Sequence, residues 1–472
     1  MLVLAICCMS LLIVGMDNTI VNVALPSIRT SLHASVEGLQ WTIDGYTLVL
    51  ASLLILAGST GDRLGRRRTF QTGLVLFTAG SLLCSIAPGL GWLVAFRMIQ
   101  AVGGSMLNPV AMSIITNVFT DPKERARAIG VWGGVIGISL GLGPIVGGLL
   151  TQTIGWRAIF WINVPIGIAA FVLAAIFVPE SRAPRARKVD PVGQLLVIVL
   201  LASVTYAIIN APRAGWESTE TIGIFVIAVV ALVGLLVYEP RRIDPLIELR
   251  FFRSVPFSGA TVIAVCAFGA FSGFLFLNTL YLQDIRGLDA LDAGLFLLPM
   301  AVVTSLLAPL SGRIVASRGP RIPLFVAGVA MTVAGLSLTR LSETTSYLWI
   351  IGSLVIYAIG FGMVNAPITN TAVSGMPRSQ AGVAAAVAST SRQVGASLGV
   401  AIIGSVINSG SNGAIAKNLA RASHPGWWII TGAGLAVLIL GIVTTGRRAR
   451  LSAQATATLL SRESLEPALS AS

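Results

Sequence analysis

The stretch from Leu2 to Ile28, LVLAICCMSLLIVGMDNTIVNVALPSI, is apolar throughout apart from a few small polar side chains and one carboxylate, Asp17. It is longer than the roughly 20 residues that a helix needs to cross the hydrocarbon core of a bilayer. A charge at the bilayer centre costs about 2.5 to 3.5 kcal/mol on insertion scales, so such residues persist where they serve a function. We interpret this segment as a transmembrane helix that carries a functional carboxylate.

The composition places the whole chain in the membrane. Its 472 residues are 55% hydrophobic and only 11% charged, whereas soluble domains carry about 25% charged residues. Apolar stretches of bilayer length predict an all-α polytopic membrane protein of about fourteen transmembrane helices. The predicted helices occupy residues 2–26, 41–60, 70–88, 92–117, 127–150, 158–178, 192–210, 221–239, 257–281, 292–315, 322–340, 347–372, 380–408 and 426–446.

The net charge of +13 is a signal of topology. Most of the 32 lysines and arginines fall in the even-numbered loops and in the tail after the last predicted helix. By the positive-inside rule, these loops and both termini lie in the cytoplasm. We therefore expect a multi-pass protein of the cytoplasmic membrane, in contact with lipid and not with nucleic acid.

Other classes of protein find little support in the sequence. The four cysteines lie within apolar spans and lack the spacing of metal ligands or secreted disulfides, so we expect packing roles and no metal. No phosphate-binding loop of the Gly-Lys-Ser/Thr type occurs, and no cofactor is expected. His33 and His424 have no partner pattern for nucleophilic catalysis, which argues against an enzyme.

The first span is predicted to remain in the mature protein. It lacks the basic region that opens a signal peptide, and many further spans follow it. Because the chain begins directly at this helix, we expect that a few N-terminal residues are missing from this sequence.

Two loops share a pattern that indicates an internal duplication. Gly58, Gly65 and Arg67 recur at the same spacing as Gly312, Gly319 and Arg321, although Ala316 replaces Asp62. The offset predicts two six-helix halves separated by two further helices. The expected domains are an N-terminal bundle at 1–180, two linker helices with flanking loops at 181–255, a C-terminal bundle at 256–446 and a cytoplasmic tail at 447–472, which we expect to be loosely ordered. The clearest linker is the polar, proline-rich segment 179–188.

Four ordered motifs resemble those of a known family. They occupy the first helix, the loop after the second helix, the fourth helix and the fifth helix: Met16–Pro26, Gly58–Arg68, Leu93–Gly103 and Ser139–Gly148. On these motifs the chain resembles the major facilitator superfamily, in its 14-helix drug:proton antiporter branch. The resemblance covers essentially the whole chain and implies two bundles that rock about a midplane cavity.

The function implied by this resemblance is proton-coupled efflux of amphipathic drugs or toxic small molecules by a monomer. The helix-five motif marks exporters, although Ser139 stands where the family has glycine. Two alternatives stay open within transport: a specific exporter of a metabolite, lipid or siderophore, and an uptake symporter. A third alternative, from another class, is a transport-inactive membrane sensor or scaffold.

Asp17, Arg97 and Asp44 are the predicted proton-coupling residues. An apolar surrounding favours the neutral form of a carboxyl group, so Asp17 can load a proton from one side and release it to the other. The resemblance assigns proton transfer to Arg97, whose guanidinium would favour the ionised acid. Asp44 matches an acidic position of the branch, which we expect near the extracellular headgroups.

Each of these three residues also has a structural interpretation. Asp17 could be satisfied by its neighbours Asn18 or Thr19, and Arg97 could be paired statically with Gln100 or with backbone carbonyls. Asp44 could be a solvated carboxylate that is stabilised by the helix dipole.

A second predicted site is a conformational latch at the cytoplasmic face. Its charges are expected to pair when the inner gate closes and to separate when it opens. The members are Gly58, Asp62, Arg63, Gly65, Arg66 and Arg67. The alternative, a positive-inside anchor, explains the arginines but leaves Asp62 unexplained.

Two further sets of residues complete the predicted sites. Small residues and a helix breaker in helix five predict a tight, pliable seam: Gly143, Pro144, Gly147 and Gly148. Arg392 and Gln393 are candidate cavity residues of the second half, although no acidic partner is visible in a neighbouring helix. Three aspartates at the external end of helix nine are expected to be solvated: Asp284, Asp289 and Asp292.

Overall fold

A computed structural model describes residues 1–183, 189–242, 244–377, 380–411 and 420–469. Within these ranges the chain is helical, with no strand. Residues 184–188 of the predicted linker lie outside the described ranges.

The first half contains six long helical segments, of which the last is broken. They are α1 (Leu2–Leu32), α2 (Val36–Leu64), α3 (Arg66–Ser85), α4 (Leu90–Val118), α5 (Pro122–Thr153) and the pair α6 (Ala158–Trp161) and α7 (Asn163–Phe177). Short turns join them, so consecutive segments run in opposite directions. We call the end of the bundle with Met1 and Gly65 the near end, and the end with Leu32 the far end.

Local sequence signals account for several helix boundaries. The Ser35 hydroxyl accepts a hydrogen bond from the Gly38 amide and caps α2, and the Asp121 carboxylate accepts two amide hydrogen bonds at the start of α5. Gly65 separates α2 from α3 with a φ of 115°, a backbone conformation that glycine adopts without strain.

Two helices, α8 (Pro191–Ala214) and α9 (Thr219–Tyr238), follow the first half and pack on each other. Helix α8 also contacts α2 of the first half and the helix Ala381–Ser411 of the second half, so the inserted pair touches both halves. The amide of the Gln194 side chain donates to the Ser52 carbonyl of α2 at 2.7 Å, inside a buried contact. A short 3-10 turn, Glu239–Arg241, ends α9.

The second half repeats the architecture of the first. Its helices are α10 (Val255–Leu280), the pair α11 (Ala290–Phe296) and α12 (Leu298–Arg318), α13 (Arg321–Leu338), α14 (Tyr347–Val373), α15 (Ala381–Ser411) and α16 (His424–Thr444). Gly319 ends α12 with a φ of 81°, and α13 begins two residues later. Gly65 likewise separates α2 from α3 with a positive φ, and there the next helix begins one residue later. The loop repeat seen in the sequence therefore has the same position and a glycine turn in both halves.

The tail forms a helix, α17 (Arg447–Leu469), so the expectation of a loosely ordered tail is wrong for these residues. The Ser452 hydroxyl accepts a hydrogen bond from the Val255 amide at 3.0 Å, which attaches the tail to the start of α10.

Twelve helical stretches of the described chain are long and apolar enough to cross a bilayer. This supports an all-helical membrane protein, but with twelve such spans instead of the fourteen predicted. The two predicted spans that fall short are α3, which begins with three arginines, and α15, which is rich in glycine and serine.

Candidate functional site

Asp17 lies at the centre of a buried polar network that joins three helices of the first half. Its side chain is fully buried, and one carboxylate oxygen, Oδ2, accepts a hydrogen bond from Arg97 Nη1 of α4. The other oxygen, Oδ1, accepts from Gln100 Nε2 at 2.8 Å and from Asn163 Nδ2 of α7 at 3.0 Å. Three donors on two other helices therefore surround the Asp17 carboxylate in this arrangement.

Arg97 is held on several sides. Its Nη1 also donates to Gln100 Oε1 at 2.8 Å, and its Nε donates to the Thr42 carbonyl at 3.3 Å. The guanidinium carbon lies 4.2 Å from the centre of the Tyr46 ring, within cation-π range. Gln100 and a backbone carbonyl, the static partners expected for Arg97, are thus present, and Asp17 bonds to Arg97 as well.

The neighbours Asn18 and Thr19, which the structural interpretation offered as partners, do not bond to Asp17. The amide of Asn18 donates to the Val14 carbonyl, and the hydroxyl of Thr19 donates to the Met16 carbonyl, so both bond to their own helix. Sequence reasoning missed two members of the network, Asn163 and Ser81. Ser81 Oγ accepts from Gln100 at 2.7 Å and from Asn163 at 3.2 Å. The only signal for them was a polar residue inside an apolar span.

Such a network makes its charged members depend on each other. A buried ion pair is costly to break by removal of one partner, because the other is left as an uncompensated charge in an apolar surrounding. Asp17 and Arg97 lie on different helices, so a displacement of α4 relative to α1 would change the surroundings of both charges.

Asp44 lies at the contact between the two halves, where α2 packs against α15. Its side chain is fully buried, so the alternative of a solvated carboxylate is wrong. The nearest groups are the Thr47 hydroxyl, at 3.5 Å from Oδ1, and Ser397 of α15. One turn away, Gln40 Nε2 donates to the Ala401 carbonyl at 2.9 Å. Asp44 is therefore placed where relative movement of α2 and α15 changes its surroundings.

The structure brings together part of the predicted latch. Arg66 Nη2 and Asp62 Oδ1 are 2.9 Å apart, four residues apart in sequence. Neither contacts the second half through an ion pair within the described chain. Gly58 lies one turn before Gly61 on α2, facing Pro109 of α4.

Glu180, from the predicted linker, contacts two arginines of the near end, a role that sequence reasoning did not predict. It accepts a hydrogen bond from the Arg67 amide at 3.2 Å and lies 3.8 Å from Arg68 Nε. Arg67 Nη1 reaches the Val178 carbonyl at 3.5 Å. For Arg63, the described residues include no carboxylate within ion-pair distance.

The helix-five seam is a contact between α5 and two different neighbours. A Cβ atom built on Gly143 would overlap the Thr19 hydroxyl of α1, and one on Gly147 would overlap Ile20. On another face of α5, a Cβ on Gly148 would overlap the Ala290 carbonyl of α11. A Cβ atom built on Gly294 of α11 would likewise overlap the carbonyl of Pro144 of α5. The small residues thus allow close approach within the first half and also between the halves.

The far end of the bundle is closed by polar contacts between the halves. Arg29 makes two hydrogen bonds to the Asp284 carboxylate, at 2.8 and 2.7 Å. Gln283 Nε2 donates to the Val23 carbonyl at 2.8 Å, and Gln152 Nε2 donates to Asp289 Oδ2 at 2.7 Å. The expectation of solvated aspartates is wrong for Asp284, whose side chain is 8% exposed.

The near end is open between the halves. Helices α5 and α12 meet where Gly141 faces Ala301 and where Gly137 faces Ser305. Beyond this level, toward the near end, several glycines of the two helices have no neighbouring atom within 4 Å of a Cβ position: Gly130, Gly133, Gly134 and Gly312. The halves therefore touch at the far end and separate toward the near end.

The second half contributes aromatic and basic side chains to the interior. Arg392 is half-buried on α15, where its Nη2 donates to the Thr369 hydroxyl of α14, and Gln393 is half-buried beside it. A small cavity between the halves is lined by α5, α10, α12 and α14, including Leu140, Phe271 and Phe361. Within the described chain, no cluster of three metal-ligating side chains occurs.

Comparison with known proteins agrees with the sequence resemblance. The family model described as Major Facilitator Superfamily matches residues 7–400. Multidrug resistance protein Stp of Mycobacterium tuberculosis is 34% identical over 88% of this chain and 77% of its own length. The tetracenomycin C resistance and export protein of Streptomyces glaucescens is 37% identical over the same shares. The methylenomycin A resistance protein of Bacillus subtilis is 32% identical over 93% of this chain and 91% of its own length.

Solved structures show the same fold at lower sequence identity. A peptide transporter, POT, superposes with a TM-score of 0.67 at 16% identity, over 95% of each chain. A bacterial homologue of the lysosomal transporter Spinster, solved in an inward-facing and occupied conformation, gives a TM-score of 0.62 at 17% identity. That superposition covers 98% of this chain and 96% of the other.

Proposed function

The chain belongs to the Major Facilitator Superfamily, and from this premise we propose that it exports amphipathic drugs or toxic small molecules in exchange for protons. The names of its relatives, which are resistance and export proteins, support efflux over uptake. The single observation that carries the coupling is the buried pair of Asp17 and Arg97, a titratable acid held by a cation on another helix.

The proposed topology has both termini and the near end in the cytoplasm of a multi-pass protein in the cytoplasmic membrane. Helices α3 and α15 are proposed to complete fourteen crossings, because α3 packs against α4 and α7 and α15 packs against α10 and α2. The domains are proposed as predicted from the sequence: 1–180, 181–255, 256–446 and the tail 447–472. The working unit is a monomer, since one chain supplies both halves of the cavity.

In this topology the structure corresponds to an inward-open state. Substrate enters from the cytoplasm between the separated near ends, while Arg29 and Asp284 hold the far end closed. Reversal of this arrangement opens the cavity outward and closes the latch around Asp62. Asp17 takes up a proton from outside, and the return of Arg97 favours release of that proton inside.

The driving force is sufficient for concentrative export. A unit charge that crosses a potential of 100 mV yields about 2.3 kcal/mol, which corresponds to more than tenfold accumulation before any pH gradient is added. No cofactor or metal enters this cycle.

Reconstitution in liposomes with an imposed pH gradient tests the proposal. We expect substrate-linked proton flux with the parent chain and loss of that flux with Asp17→Asn. An Asp17→Asn variant that exports with undiminished sensitivity to uncouplers would remove the proposed coupling site. Absence of linked flux for every dye, antibiotic and quaternary amine offered would refute antiport itself.

A further inference from the structure

Arg392 is a cation inside the second half that lacks an acidic partner. Within the described chain, no carboxylate lies within 4.0 Å of its guanidinium, and the ion pairs involve other residues. Its Nη2 donates to the Thr369 hydroxyl and, at 3.5 Å, to the Asn365 carbonyl. Its Nε is buried without a hydrogen-bond partner. Because an unsatisfied buried donor is costly, this side chain has an unmet capacity to bind an acceptor.

The polar contacts of Arg392 show where it points. Thr369 and Asn365 belong to α14, and the ring of Phe268, 5.8 Å from the guanidinium carbon, belongs to α10. The side chain therefore extends from α15 into the space that α10, α14 and α15 enclose.

Beside Arg392 lies an aromatic platform, which we define as Phe268, Phe271 and Phe361. Phe271 and Phe361 are stacked, with ring centres 3.9 Å apart and planes inclined by 7°. Phe268 meets Phe361 edge-on at 5.2 Å. Phe271 and Phe361 also line the cavity between the halves. A planar ring system can extend this stack at the cavity surface.

Among the described residues of the first half, two carboxylates are fully buried, Asp17 and Asp44, and neither is exposed to a positively charged molecule in this state. Asp17 is fully buried and is occupied by Arg97, Gln100 and Asn163. Asp44 is fully buried in the contact of α2 with α15, beside Ser397. The uncompensated charge near the aromatic platform is therefore the positive charge of Arg392.

We propose that Arg392 and the aromatic platform form a specificity site for planar aromatic molecules that carry an acidic or electron-rich oxygen. The ring system stacks on Phe271 and Phe361, and the oxygen accepts a charge-assisted hydrogen bond from Arg392. The same guanidinium disfavours cationic aromatics by repulsion. This inference depends on the proposed function only for the claim that the bound molecule is then exported.

Two dyes with the same xanthene ring and opposite charge test the site: fluorescein, an anion, and rhodamine 123, a cation. Fluorescence anisotropy with the purified full chain measures binding of each dye. We expect fluorescein to bind at least about tenfold more tightly than rhodamine 123. Arg392→Gln should lower the affinity for fluorescein by about tenfold while leaving that for rhodamine 123 unchanged or increased.

Two further variants separate this role from a structural one. Arg392→Lys keeps the charge and should retain part of the preference for fluorescein, even if Arg392→Gln is poorly folded. Phe271→Leu should weaken binding of both dyes alike, because it removes the stacking surface and not the charge. Thermal unfolding of each variant identifies loss of structure.

The outcomes distinguish this inference from the proposed function. Equal affinity for the two dyes, or equal weakening of both by Arg392→Gln, overturns the specificity site whether or not drugs are exported. Arg392-dependent binding of fluorescein without export from proteoliposomes supports the site and refutes efflux of this dye class. Preferential binding of rhodamine 123 reverses the proposed selectivity and also overturns the site.

Discussion

Arg29 and Asp284 are joined by two parallel hydrogen bonds, although 255 residues separate them in the chain. One belongs to the end of α1 and the other to the turn after α10, so the pair connects the two halves at the far end. Such a bidentate pair adds geometric specificity to its energy. Because the carboxylate is shielded from water, removal of Arg29 would leave it as a buried charge without its partner.

The first prediction concerns this pair. Arg29→Ala removes the two hydrogen bonds and should shift the population toward the outward-open state by about tenfold, the effect of about 1.4 kcal/mol. Distances between spin labels on the far ends of α1 and α10 measure the shift. The reciprocal variant, Arg29→Asp with Asp284→Arg, should restore part of the closed population.

The matched control is Arg213→Ala, which removes an arginine from the far end of the linker helix α8. We expect an unchanged distance distribution for this control. An unchanged distribution for Arg29→Ala as well would mean that the far end is held by the apolar and backbone contacts alone.

The second prediction concerns the network around Asp17. Asn163→Leu removes the amide that donates to Asp17 Oδ1 at 3.0 Å. Loss of one hydrogen bond to a charged group costs about 1.5 to 3 kcal/mol, so the Asp17 carboxylate should be held less firmly against Arg97 and proton-coupled export should fall at least about tenfold. Proton release on addition of substrate to proteoliposomes measures the coupling.

Asn18→Leu serves as the comparison, because the Asn18 amide bonds to the Val14 carbonyl of its own helix. Its coupling should stay close to that of the parent. Equal losses in the two variants would show that any change of polarity in this region disturbs transport, and that the bond to Asp17 has no special role.

The third prediction uses two glycines of the same helix. Gly143→Ala places a methyl group on the Thr19 hydroxyl, whereas Gly130→Ala meets no atom within 4 Å. Overpacking typically costs about 1 to 3 kcal/mol, so Gly143→Ala should lower the melting temperature and reduce transport. Gly130→Ala should be neutral or stabilising, since alanine is the better helix former by about 1 kcal/mol. A melting temperature that falls equally in both variants would contradict close packing at the seam.

The sequence was sufficient for much of this fold and for the centre of the site. Each predicted span coincides with a helix, because apolar length is a local property that bilayer thickness imposes. The breaks between α6 and α7 and between α11 and α12 were not predicted, since apolarity continues through both. Asp17 and Arg97 stood out because a charge inside an apolar span is rare.

The remaining parts of the site depend on contacts between distant segments. Asn163 and Ser81 are uncharged and resemble many other polar residues of the spans, yet Asn163 bonds to Asp17 and Ser81 accepts from Asn163. Asp284 looked like a loop carboxylate, and only the packing of the halves places it against Arg29. The position of Asp44 likewise depends on the approach of α15. These are properties of the tertiary arrangement that spacing within one segment does not encode.

The last prediction concerns the near-end charges. In the open state Asp62 bonds to Arg66 of its own loop, and no ion pair within the described chain joins it to the second half. If Asp62 contributes to closure of the near end, Asp62→Asn should lower transport by about tenfold, because the closed state then loses a contact between the halves in addition to the local contact with Arg66 that both states share. Labels on the near ends of α5 and α12, measured with and without an imposed pH gradient, report closure. Asp244→Asn, in the loop after the linker helices, is the control and should close normally. If Asp62→Asn closes as readily as this control, the near-end arginines are topology signals alone.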